Sequence, residues 1–279
     1  MFELAGSHRI VGGGMEKSAE EGRTMSMGIF SEKTFLVVGA SVGIGAGIAQ
    51  RLAAEGATVH AAARRVDAIE AYARDSEGRI VAHACDVSDP ESVTRLFASI
   101  REGGVPLDAL IGTAAVLWFA PFADQPEEEW VTMLETNLLG SIRVTQAALQ
   151  DMLPRDSGHI LHVTSTAAGL AIPHLAIYST GKAGLSHFLT ALRGEYGSTG
   201  VRFTEMHIGN VGGTEGGGAA VREFDPGLMA SVEAISRWTG TPEMMRVEDV
   251  VEAVVYALSS SSRVRLDKIV LREKADIPT

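Results

Sequence analysis

The sequence predicts a doubly wound α/β domain, a parallel sheet of about seven strands with helices on both faces. Three observations predict it. From Thr34 onward, short apolar runs alternate with helical patterns along almost the whole chain, as βαβ units require. Nearly half of the 279 residues are hydrophobic, 46%, enough to bury both faces of a sheet. No internal repeat or second domain interrupts the alternation, and α/β folds of this length commonly form one domain. Right-handed crossovers then give the doubly wound arrangement.

The elements follow in order. Residues 34–38 are a compact apolar strand ending in Gly39, and 44–55 an Ala-rich helix. A strand at 57–63 leads to a helix at 66–74, and a third strand covers 79–84. Ser88 reads as the N-cap of the next helix, with Pro90 in its first turn and Glu91 closing a capping box. A fourth strand covers 108–111, and one long helix runs from about 126 to 149. A fifth strand at 160–163, a helix at 177–196 and a sixth strand at 201–207 follow. In the tail, Val247, Val250, Val251, Val254, Val255 and Leu258 fall on one helical face. Residues 266–271 are the last strand.

Two segments stand outside this rhythm. Residues 1–28 are Gly-rich and mixed in charge, and are expected to be a mobile extension to a single domain at 29–279. Residues 209–245 carry many glycines, then Pro226, Gly240 and Pro242. A long irregular insert beyond the carboxyl end of a strand is expected to be a substrate lid.

The formal net charge of −11 argues against nucleic acid or an anionic membrane as partner, although a local pocket can still hold phosphate. Cys85 is the single cysteine, so no internal disulfide is possible, and it reads as a small buried hydrophobe. The longest apolar stretch, 109–123, is too short to span a bilayer and contains Gly112, Thr113 and Pro121. With no secretory signal evident, a cytoplasmic location is expected.

Two motifs point to a dinucleotide. The first strand runs into Gly39-Ala40-Ser41-Val42-Gly43-Ile44-Gly45. Glycines there let the backbone approach a pyrophosphate, which the following helix N-terminus favours with its unpaired N–H groups. The spacing is G-x-x-x-G-x-G; a glycine triad is weak evidence alone and much stronger between a first strand and a first helix. The second strand ends in Arg64-Arg65 with no acid. A carboxylate at that point would bind a ribose 2′-hydroxyl, whereas arginine accommodates a 2′-phosphate; NADP(H) is therefore expected. Asp86, in Asp86-Val87 after the third strand, could accept from the adenine amino group, or serve only as a turn-forming residue.

The chemistry rests on three side chains. Tyr178 and Lys182 are spaced i, i+4 on a helical pattern and share a face. An ammonium beside a phenol favours the phenolate and lowers its pKa, so Tyr178 could pass a proton to a carbonyl oxygen or take one from an alcohol. Ser165, just past the fifth strand, could hydrogen-bond the same oxygen.

Taken with Asn137 in Thr136-Asn137-Leu138-Leu139-Gly140 and the segment Ile208-Gly209-Asn210-Val211, these motifs resemble the single-domain branch of the short-chain dehydrogenase/reductase family, from about Thr34 to Leu271. The resemblance implies a Rossmann-like fold and an NADP(H)-dependent oxidoreductase acting on a carbonyl or alcohol. It implies Tyr178 as acid/base, Ser165 as the group orienting the substrate, and Lys182 as holding the nicotinamide ribose. Asn137 would anchor a water in a relay to Lys182. Gly209, Val211 and Thr214 would contact the carboxamide, and Ala114 would line the cofactor site after the fourth strand. A homotetramer or homodimer is implied as well.

Three departures are visible. The family's Asn-Asn-Ala-Gly reads Gly112-Thr113-Ala114-Ala115, which removes two amide side chains; Thr113 could replace one set of hydrogen bonds. The usual Pro-Gly after the sixth strand is Ile208-Gly209, and the usual threonine is displaced to Thr214. Leu117, Trp118, Phe119, Leu170 and His174 are pocket candidates. For Trp118 and Phe119, ordinary core packing is the competing reading. His162, His174 and His207 have no partners at metal-ligand spacing and read as structural, so no metal is expected. The alternative to an enzyme is an NADP(H)-binding sensor on the same fold, which Ser165, Tyr178 and Lys182 argue against.

Overall fold

A computed structural model describes residues 28–213 and 244–274; the expected extension, most of the expected lid and Thr214 lie outside the described residues. Seven parallel strands form one sheet in the order β3-β2-β1-β4-β5-β6-β7: β1 Thr34–Val38, β2 Thr58–Ala63, β3 Ile80–Ala84, β4 Ala109–Gly112, β5 Gly158–Ser165, β6 Val201–Ile208 and β7 Lys268–Leu271. The order reverses beside β1, where β2 lies on one side and β4 on the other. In open α/β sheets the crevice at such a reversal receives ligands.

Side chains alternate across each strand, so β1 feeds two cores. Phe35 and Val37 point into one, with Ile48 and Leu52 of α1 (Gly43–Ala54), Ile69 of α2 (Val66–Ala73), and Val250 and Val254 of α7 (Val247–Ser259). Leu36 and Val38 point into the other, with Leu96 and Phe97 of α3 (Pro90–Glu102), Val144 and Ala148 of α5 (Ser141–Met152), and Leu192 of α6 (Ala176–Glu195). Arg51 of α1 pairs with Glu252 of α7, and Gly47 lets those two helices meet closely at Val247 and Val251.

Two local expectations are corrected. The N-cap of α3 is Asp89, not Ser88: Asp89 accepts from the Glu91 amide at 2.9 Å. Ser88 is already committed, since its backbone N–H and hydroxyl donate to Asp86 Oδ1 at 2.9 and 2.6 Å. The long helix expected at 126–149 is interrupted. α4 (Glu127–Leu134) passes through a π-helical turn at Glu135–Gly140 before α5 begins. Such turns widen the helix by one residue and recur at functional sites; this one carries Asn137.

Candidate active site

The site is assembled at the carboxyl ends of β1, β4, β5 and β6. The loop after β1 is shaped by glycine. Gly39 has φ +90° and Gly43 φ +59°, both left-handed. Gly39 N–H and Ala40 N–H donate to Ala62 C=O at 2.8 and 3.2 Å, tying the loop to β2. A β-carbon at Gly39 would collide with the backbone of Ala114, which places Ala114 against the loop. Val42 is the N-cap of α1 and its side chain makes no capping hydrogen bond. The first-turn amides and the positive dipole end are thus available to an anion, and Ser41, Val42, Ile44 and Gly45 surround them. Arg64 and Arg65 are exposed immediately after β2. These features fit a dinucleotide phosphate group. Asp86 serves a turn through Ser88, and its carboxyl is lowered: burial pushes it up, but the Ser88 hydrogen bonds and the charge of Arg64 outweigh that. Gly140 lets Val87 pack against the π turn.

Thr113 does replace one missing amide. Its hydroxyl donates to Val38 C=O at 2.8 Å and its N–H donates to the same carbonyl at 2.8 Å, fastening the β4 loop to β1. Asn137 is fully buried. Its amide accepts from Val116 N–H and donates to Val116 C=O, both at 2.8 Å, so the π turn clamps the loop that continues to Trp118 and Phe119. Those two residues are half-buried and belong to neither core, which disfavours the packing reading. Ala120 N–H donates to His174 C=O at 3.2 Å. The β4 loop and the segment between Ser165 and Tyr178 therefore meet at Ala120 and His174; Leu117, Trp118 and Phe119 immediately precede that contact in one segment, and Leu170 precedes it in the other. His174 itself is left-handed, φ +65°.

Ser165 ends β5, and its hydroxyl accepts from Ala167 N–H at 3.2 Å. Tyr178 and Lys182 lie in the first two turns of α6. Lys182 is buried, donates to Val163 C=O at 3.0 Å, and its ammonium sits 5.8 Å from the Tyr178 ring centre. Burial pulls Lys182 down to about 8. The expected lowering of Tyr178 is not found: burial pushes its phenol above the usual value, against a hydrogen bond with Ser165 that pulls it down. The ammonium lies over the ring and directs one N–H to Val163 C=O, and desolvation of the phenolate wins.

One contributor was not anticipated. Glu273, just past β7, is 5% exposed and accepts from Asn210 N–H at 3.0 Å. Gly209 admits that carboxylate; a β-carbon there would collide with it. The segment at Gly209 and Val211 is thus held from below by a distant part of the chain, and Val211 bridges to Met245. A single acidic residue near the end of a chain offers no periodic or motif signal.

Comparison with known proteins agrees with this geometry. Residues 33–222 match the family model for short chain dehydrogenases. A glycine betaine reductase of Emericella nidulans is 32% identical over 88% of this chain, although the match spans only 19% of that protein. An oxidoreductase of Staphylococcus aureus is 28% identical over 88% of this chain and 99% of its own length. A serine dehydrogenase complexed with NADP+ superposes with a TM-score of 0.75 at 27% identity, covering 86% of this chain and 94% of that one. An alcohol dehydrogenase of Thermococcus sibiricus complexed with 5-hydroxy-NADP gives 0.75 at 27% identity, covering 88% and 99%.

Proposed function

This chain belongs to the short-chain dehydrogenase family of oxidoreductases, and from that premise we propose that it is an NADP(H)-dependent carbonyl reductase or alcohol dehydrogenase with Tyr178 as its acid/base. The observation that carries the reading is the convergence of Ser165, Tyr178 and Lys182 beside a glycine-shaped helix N-terminus. The nicotinamide, when bound, supplies or accepts the hydride. Ser165 and Tyr178 hold the substrate oxygen between them, and Tyr178 moves the proton at its Oη. A phenol raised above its usual pKa stays protonated at neutral pH, the form that donates to a carbonyl oxygen during reduction. Lys182 holds positive charge over the Tyr178 ring and would hold the nicotinamide ribose. Asn137 holds the β4 loop through Val116 and anchors the water of the relay. Gly209 and Val211 would present backbone to the carboxamide; Thr214, the third residue expected there, lies outside the described residues. Half-buried Trp118, Phe119 and Leu170 suit a mainly apolar substrate.

Arg64 and Arg65 favour the 2′-phosphate, and the NADP-bound relatives support that choice. The test is consumption of NADPH against NADH with a panel of aldehydes, ketones and keto acids. Tyr178→Phe is expected to lower turnover by at least about 100-fold while leaving NADPH binding intact. The double variant Arg64→Ala/Arg65→Ala is expected to weaken NADPH binding by about 10- to 100-fold without weakening NADH binding. Unchanged turnover in Tyr178→Phe would refute the catalytic reading and favour a sensor. Unchanged NADPH affinity in the arginine variant would refute the cofactor assignment.

A further inference from the structure

Gly112 and Thr113 stand where two amide side chains were expected, and Thr113 replaces only the bonds to β1. What occupies the rest of that space is His162. The two residues are paired neighbours in β4 and β5, and the imidazole is 1% exposed. A β-carbon at 112 would lie inside the van der Waals envelope of His162 Nδ1 and Cε1, so glycine is what admits the ring.

The hydrogen bonds settle which nitrogen carries the proton. His162 Nε2 lies 2.7 Å from Thr145 Oγ1. Thr145 donates its only hydroxyl proton to Ser141 C=O at 2.7 Å, so it must accept from the imidazole, and Nε2 bears the hydrogen. Nδ1 is then a bare lone pair over Gly112, with no hydrogen-bond partner among the described residues. The other tautomer would bury an N–H without an acceptor, the costlier arrangement. From Thr145 the connection continues toward the site. Ser141 hydroxyl donates to Asn137 C=O at 3.0 Å, and Asn137 holds Val116 by both amide atoms. Burial, with the nearby Lys182 charge, keeps the imidazole neutral.

We propose that Gly112 and His162 are a matched pair, and that His162 is a positioning residue which, through Thr145 and Ser141, seats the π turn that carries Asn137. The proposal rests on the reading of Asn137, Tyr178 and Lys182 as reaction machinery. The scale of its effect follows from geometry, because a displacement of about 1 Å near reacting groups can cost about 100-fold in rate.

Three measurements on the full chain test it. His162→Leu fills the volume without a donor and is expected to lower kcat by about 10- to 100-fold with NADPH affinity unchanged. His162→Gln, which restores an N–H toward Thr145, is expected to recover most of that loss; a space-filling role alone would rank the two variants equally. The 15N spectrum of the histidines at neutral pH is expected to show His162 protonated on Nε2 only. Gly112→Ala is expected to lower the urea midpoint markedly in the parent and far less in a His162→Ala background. A parental kcat in His162→Leu, a proton on Nδ1, or an equal cost of Gly112→Ala in both backgrounds would overturn the proposal. Should the parent itself turn over nothing, the reductase reading fails, while the tautomer and the Gly112 coupling still decide the pair.

Discussion

Lys182 shows how a residue legible in sequence takes its chemistry from its surroundings. Four residues from Tyr178 on a helix, it was expected to pull the phenol's pKa down. Burial instead raises Tyr178 and lowers Lys182 to about 8, because each charged form loses water inside the fold. In the proposed reaction Tyr178 is therefore protonated and ready to donate at neutral pH, and the limiting group on the alkaline side is the lysine. Reductive kcat/KM is expected to fall as the pH rises through about 8, where Lys182 loses its charge. Lys182→Arg, which stays charged throughout, is expected to abolish that limb. A limb that persists in the arginine variant would assign it to another group.

Among the elements, the helix formed by α4, the π turn and α5 does most to connect the sheet to the site. Its hydrophobic pattern reads as one helix, because the pieces on either side of the turn, 8 and 12 residues long, are too short for a phase shift between them to stand out. Only tertiary packing reveals the bulge at Asn137. Gly140 closes the bulge against Val87, and a β-carbon there would come within 2.5 Å of Val87 Cγ2. Val87 is β-branched and sits within the turn made by Asp86 and Ser88, so it has little room to yield. Gly140→Ala is expected to destabilise the fold by about 1–3 kcal/mol through overpacking and to weaken NADP(H) binding through the Asp86-Val87 turn. Chemical denaturation and a cofactor titration check both effects; a stable variant with parental affinity would show that the turn is compliant.

Over the whole molecule, polar burial at the centre of the sheet should make the protein sensitive to acid. His159 and His162 are each depressed to about 3 by burial, His60 to about 4 by burial and the nearby His83. Glu205 is brought to about 2: burial pushes it up, but hydrogen bonds from His207, Thr164 and Ser186 and the charge of Lys268 prevail. The sign is the same for all four. The unfolded chain binds protons that the folded chain refuses, so stability is complete above about pH 6.5. It falls as the pH drops, first through the histidine window between about 6.5 and 3, then through the Glu205 window between about 4.5 and 2. A loss of about 1–3 kcal/mol per buried histidine by pH 4–5 is expected, at 1.36 kcal/mol per pKa unit. Urea unfolding across this range checks it, and a flat profile from pH 7 to 4.5 would exclude neutral buried histidines.

The apolar alternation of 34–271 determined the doubly wound sheet, and strand positions were legible to within about two residues, because period and burial are local properties of the chain. The glycine loop, Ser165, Tyr178 and Lys182 were legible for a similar reason: their spacings place them on one turn or at one strand end. The N-cap at Asp89, the π turn under Asn137, Glu273 beneath Gly209 and the ring of His162 in the space left by Gly112 depend on residues far apart in the chain. Asp89 is the exception in distance but not in kind, since Ser88 was diverted by Asp86. In each of these the outcome was set by competition for a hydrogen-bond partner or for a few cubic ångströms; at Asp89 that competition is local, and in the others it exists only once the strands have been brought side by side.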